Sequence, residues 1–120
     1  MDLSNYRQSF EAAYAAGELA TAPPTAAELR VHRDNQPWID ALMTPQPLGT
    51  AVQAIRLTGA RERVARRVYV RATGYPSPRF DACREAARGR GWTIREVACG
   101  HIAMIDDPDA VTAILLEAAG

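Results

Sequence analysis

Few side chains in this sequence are equipped for catalysis. There are two histidines (His32 and His101), two cysteines (Cys83 and Cys99) and three serines (Ser4, Ser9 and Ser77). His101 is the candidate general base. It follows a glycine in "ACGHIAMIDDPDAV" (Ala98 to Val111), at the end of a strand-like run and ahead of a well-capped helix. An imidazole held on such a turn can take a proton from a nucleophile. The nucleophile is harder to find. No serine stands in a G-x-S-x-G elbow. Ser77 reads as a helix cap. Cys99 lies two residues before His101, where strand alternation and the turn make a productive contact unfavourable. His32 reads as a solvated helix residue. A metal site drawn from His32, His101, Cys83 and Cys99 would have to gather distant segments that share no ligand spacing. No metal and no cofactor is therefore expected, and the cysteines read as small buried thiols in a reducing cytosol.

The elements that must position His101 are legible in the second half. "RVYVRA" (Arg67 to Ala72) is β-branched and aromatic, as strands are. After the "TGYPSP" loop, Ser77 caps a helix with Pro78 at its first position. Phe80, Cys83 and Ala87 mark its inner face, and Gly89 and Gly91 end it. "WTIREVA" (Trp92 to Ala98) is the next strand, "CGHIAMID" a loop. Asp107 caps a last helix with Pro108 at its first position and Ala110, Val111, Ile114, Leu115 and Ala118 inward. Two strands joined by a crossover helix are expected to be parallel, so Tyr69 to Ala72 pairs with Trp92 to Val97. Ligands bind beyond the carboxyl ends of such strands, the rim on which His101 falls.

The first half is less regular. Leu3, Tyr6, Phe10 and Tyr14 recur at helical spacing, with Asp2 as cap and a stop near Gly17. Thr25 and Glu28 form a capping box, which predicts a short helix to about Arg33. Trp38 to Met43 reads as one helix between proline-fixed turns, with Trp38 packed beneath it. Ala51 to Leu57 reads as a strand or extended segment. Arg61, Arg63, Arg66 and Arg67 have only Glu62 as a local counter-charge and read as a solvated linker. Trp92 reads as a packing residue at the start of its strand.

Bulk properties bound the rest. The chain has 120 residues, one domain at most, and is 48% hydrophobic, which suits a folded protein. All 14 basic residues are arginine and the net charge is zero, so nothing steers the whole molecule toward nucleic acid or an anionic membrane. No run is long enough to span a bilayer, and "MDLSNYRQSF" does not look like a signal peptide. A cytoplasmic location is expected.

The tail resembles the C-terminal part of an α/β-hydrolase. In that fold the catalytic histidine follows the last strand, often as Gly-His, and a helix starting near a proline closes the chain. Gly100-His101, Met104 and "DPDAVTAILLEAA" match this pattern, and "RVYVRATG" resembles the preceding strand. "WIDALMTPQPLGTAVQAIRLTGA" is similar to the segment leading out of the cap in small esterases of the hydroxynitrile lyase and plant methylesterase type. The resemblance spans roughly Trp38 to Ala119. It implies an α/β fold in a single partial domain: cap-like helices over 1–50, then a parallel strand-helix-strand-helix unit over 51–120. It implies a carboxylesterase-type unit that contributes a cap and His101 as triad histidine. The chain departs from the family in lacking the elbow serine. It also lacks an acid after "YVRA", where Thr73, Gly74, Tyr75 and Pro76 stand. Asp81 falls in the next helix, and Asp106 and Asp107 follow His101 too closely to face it. The isolated chain is thus expected to be inactive on esters, with a small ester as substrate only when another hydrolase chain completes it. The alternative is a non-catalytic binding or assembly module on a truncated hydrolase scaffold. An open edge along "RVYVRA" further implies a homo-oligomer or a complementing chain.

Overall fold

The computed structural model describes residues 3–120. Helix α1 (Leu3–Ala15) runs to Gly17, whose φ of 85° turns the chain away. The expected Asp2 cap lies outside the described residues. Tyr14, one of the apolar residues at helical spacing, is exposed. A two-residue bridge then joins β1 (Ala20–Thr21) to β2 (Gln46–Pro47) in antiparallel fashion.

Between these strands lies a compact loop unit. The capping box forms: the Thr25 N–H donates to Glu28 Oε2 at 2.7 Å, and the Glu28 N–H donates to Thr25 Oγ1 at 3.2 Å. The helix it was expected to start does not continue to Arg33. It closes after one turn because Arg30 adopts φ 56°. The Val31 N–H then bonds the Ala26 carbonyl and the Arg30 N–H that of Ala27, an arrangement that ends helices. A 3-10 turn (Arg33–Asn35) leads into α2 (Gln36–Leu42). His32 is therefore exposed ahead of a 3-10 turn, not within a helix. Ala26, Leu29, Val31 and Ile39 form the buried cluster of this unit, with Met43, Ile102 and Ile105 packed against it. Trp38 points outward instead of packing beneath α2. Ala51 and Val52 belong to α3 (Gly49–Val52) rather than to a strand, Gln53 is extended, and no strand forms over the residues up to Leu57. Leu48, at the start of α3, is the most enclosed large side chain described, 1% exposed.

The second half matches the expected order. Strand β3 (Val68–Ala72) and β4 (Thr93–Val97) are parallel, in the register Val68 with Thr93 through Ala72 with Val97. Helix α4 (Pro78–Gly89) crosses between them, and α6 (Pro108–Ala119) follows β4. Both predicted caps form. The Phe80 N–H donates to Ser77 Oγ at 3.3 Å, and the Ala110 N–H to Asp107 Oδ1 at 3.1 Å. Ser77→Ala is expected to lower stability by about 1 kcal/mol in chemical denaturation, the usual worth of such a cap. The predicted loop after Cys99 contains a further short helix, α5 (Ala103–Asp106). On α4, Ala87 is buried and Phe80 half-buried, but Cys83 is exposed. On α6, Leu115 is exposed rather than inward. The architecture is a mixture of helix and strand around a small parallel sheet, and no described helix is long and apolar enough to cross a membrane.

Candidate functional site

The carboxyl ends of β3 and β4 form one rim, and the loops leaving them touch. Gly74 lies against the Cys99 backbone, where an added Cβ would meet the Cys99 carbonyl oxygen at 2.5 Å. Gly100 is buried against the one-turn unit at Leu29 and Arg30. The His101 N–H donates to the Leu29 carbonyl at 2.8 Å, which fixes the backbone of His101 beneath that unit.

The His101 side chain projects from this anchor into an aromatic group. Its ring stacks on Phe80 at 5.3 Å and 11°, and lies 4.8 Å from Tyr75 at 39°. Two hollows meet at it. One, of about 260 Å³, is walled by β3, Phe80, Ala103, Met104 and Val111 and is mostly apolar. The other, of about 620 Å³, runs beneath Ala22, Pro24 and Leu29 along Tyr75 to Phe80. The rim histidine and the overhanging first-half segment are thus brought together.

The remaining polar groups are committed elsewhere. Asp106 accepts from the His32 N–H at 3.0 Å and from Asn35 Nδ2 at 3.1 Å, tying α5 to the first half. Asp107 caps α6. Asp81 accepts from Arg71 Nε at 2.9 Å, and this guanidinium, foremost by its hydrogen bond, holds the Asp81 carboxyl below the usual carboxylate range. Among the described residues no carboxylate pairs with the His101 imidazole. Ser77 is occupied as a cap. Cys99 is half-buried, not fully buried as expected. Burial, then the charges of Asp106 and Asp107, push its thiol up, away from thiolate chemistry. Groups of three or more metal-ligating side chains are absent among the described residues.

In the arginine-rich linker, Glu62 serves both Arg61, at 2.9 Å, and Arg67, at 3.0 Å, and its carboxyl is lowered chiefly by the Arg61 hydrogen bond. Arg67 also lies over the Trp92 ring, 5.4 Å from its centroid. Arg71 stands in no sequence motif. A lone arginine between apolar strand residues signals a buried charge in need of a carboxylate, and Asp81 answers it.

No family model, no curated protein and no solved structure matches this chain.

Proposed function

We propose that this is a partial α/β-hydrolase unit of the carboxylesterase type, contributing a cap segment and the triad histidine His101 but no nucleophile of its own. The observation that carries the reading is the place of His101. It stands at the carboxyl end of a parallel strand, beneath an overhanging first-half segment, where two hollows meet. A small ester is the substrate class when another chain supplies the serine, and the setting is cytoplasmic. With neither nucleophile nor orienting acid, the imidazole has no proton to move on its own. The isolated chain is expected to hydrolyse activated esters no faster than His101→Ala, and a serine-directed phosphonate is expected to leave it unlabelled. Turnover that disappears in His101→Ala, or a labelled serine, would overturn the proposal.

The stacking of His101 on Phe80, with the Tyr75 ring tilted against it, favours a second reading, a non-catalytic binding module. On that reading a small apolar ligand sits in the 260 Å³ hollow. Saturable shifts of the His101 ring resonances on titration with short-chain esters, without hydrolysis, would support it. Their absence would count against it.

A further inference from the structure

The outer edge of β3 is unfinished. The Arg67 carbonyl accepts from the Thr93 N–H and the Thr73 N–H donates to the Val97 carbonyl, so the odd-numbered peptide groups face β4. In a parallel ladder the intervening residues then turn their peptide groups the other way. Val68, Val70 and Ala72 therefore face outward, and no described strand pairs with them. The Ala72 carbonyl is already served by the Arg71 guanidinium and the Tyr75 N–H. The N–H and C=O of Val70, the C=O of Val68 and the N–H of Ala72 remain to be paired.

The surroundings of this edge are apolar. Phe80 flanks it on the α4 side, and Met104 and Val111 on the other. Val70 is 39% exposed and Met104 59%. The chain as a whole exposes 8792 Å². A compact monomer of its mass exposes about 6,400 Å², so the chain as a whole is more open than a compact globule.

We infer that β3 pairs with β3 of a second copy, antiparallel about a two-fold axis at Val70, to form a continuous sheet of four strands. The edge is self-complementary in this register. Val70 exchanges both of its bonds with the partner's Val70. The Ala72 N–H meets the partner's Val68 carbonyl, and the symmetric bond forms as well. The already-served Ala72 carbonyl is the one acceptor whose place in the ladder is taken. No charged side chain lies at positions 68, 70 or 72, and Arg71 keeps its own Asp81, so like charges are not opposed. The zero net charge of the chain removes long-range repulsion between copies. The pairing would close the apolar hollow beside His101 with the partner's strand. It does not depend on the role of His101.

Sedimentation at micromolar concentration tests this on the whole chain, with amide hydrogen exchange read at Val70. The expected species has twice the 13.1 kDa of one chain, and its Val70 amide is protected in proportion to dimer. Val70→Pro removes an N–H that the β3–β4 ladder does not use, and proline is tolerated on such an edge. It is expected to raise the dimer dissociation constant about 30-fold or more, while far-ultraviolet dichroism is retained. Val70→Lys, with the backbone intact, is expected to weaken the dimer as well. A folded monomeric wild type would overturn the inference. So would a dimer that both variants leave unchanged, an unprotected Val70 amide in the dimer, or a chain that occurs only with a different protein on this edge.

Discussion

Gly100→Ala is expected to cost several times more than any surface substitution, about 3 kcal/mol or beyond, and to loosen His101 from the first half of the chain. Gly100 is buried, and its φ is not in the left-handed region, so conformational freedom is not what requires glycine there. Space is. An added Cβ would fall well inside 3.0 Å of the Arg30 carbonyl carbon and oxygen, and at 3.0 Å from the Leu29 oxygen. These are backbone atoms of a turn held at both ends by hydrogen bonds, so they cannot swing aside as a flexible side chain would. Relief requires the rim loop to part from residues 26–31. That movement breaks the 2.8 Å bond from the His101 N–H to Leu29 and exposes the Ala26, Leu29, Val31 and Ile39 cluster to water. Urea denaturation measures the loss, and faster exchange of the His101 amide locates it. Gly100→Ala with wild-type stability and a slow His101 amide would show that the two segments do not meet as closely as the structure has them.

The same glycine shows how much of the site was legible in sequence. Gly-His after a strand was readable as a pair, but not the reason for the glycine. The atoms that exclude a Cβ belong to Leu29 and Arg30, some seventy residues earlier. The caps were legible because they are local: Ser77 with Pro78, Asp107 with Pro108 and Thr25 with Glu28 each act within three residues. The parallel pairing of β3 with β4 followed from an intervening helix of the right length, again a near-neighbour argument. Failures came where the decision is made at a distance or by a single dihedral. The one-turn unit stops at Arg30 because Arg30 takes a left-handed conformation that glycine usually supplies. Nothing in its sequence announces this. Leu115 reads as inward on periodicity, Trp38 reads as packed beneath its helix, and Tyr14 shares the helical spacing of Leu3, Tyr6 and Phe10, yet all three are exposed. Each sits on a face that no other described element covers, and periodicity says which residues share a face without saying whether a neighbour exists to bury it. The short helix α5 was hidden inside a segment read as loop, because four residues are too few for a hydrophobic period to show.

Arg71 is the residue that periodicity should have flagged, and its pairing carries the second large effect. It occupies a strand position facing α4 and is 4% exposed. A guanidinium does not shed its charge at any ordinary pH, so it must be paired where it stands. Asp81, on the first turn of α4, supplies the counter-charge at 2.9 Å, and the Ala72 carbonyl accepts a further bond. The Asp81 carboxyl is held below its ordinary value in the folded chain, first by that hydrogen bond. A carboxyl depressed in the folded state binds fewer protons there than in the unfolded state. Its contribution is therefore complete above the unfolded value, about 3.9. It fades as pH falls through the lower, folded value. Asp81→Asn removes the charge but keeps an acceptor of similar shape. Asp81 is itself half-exposed, so solvent screens the pair, and the melting midpoint at neutral pH is expected to fall by a few degrees as the buried guanidinium comes to face a neutral acceptor. Between pH 5 and 2 the wild type is expected to lose stability more steeply than the variant, so that the two curves converge in acid. Arg71→Met supplies the check on cause. It replaces the buried charge with an apolar chain of similar length, and in that background Asp81→Asn is expected to cost almost nothing. If the two substitutions simply add, or if the acid limb of Asp81→Asn matches that of the wild type, the pair is not what holds α4 on β3.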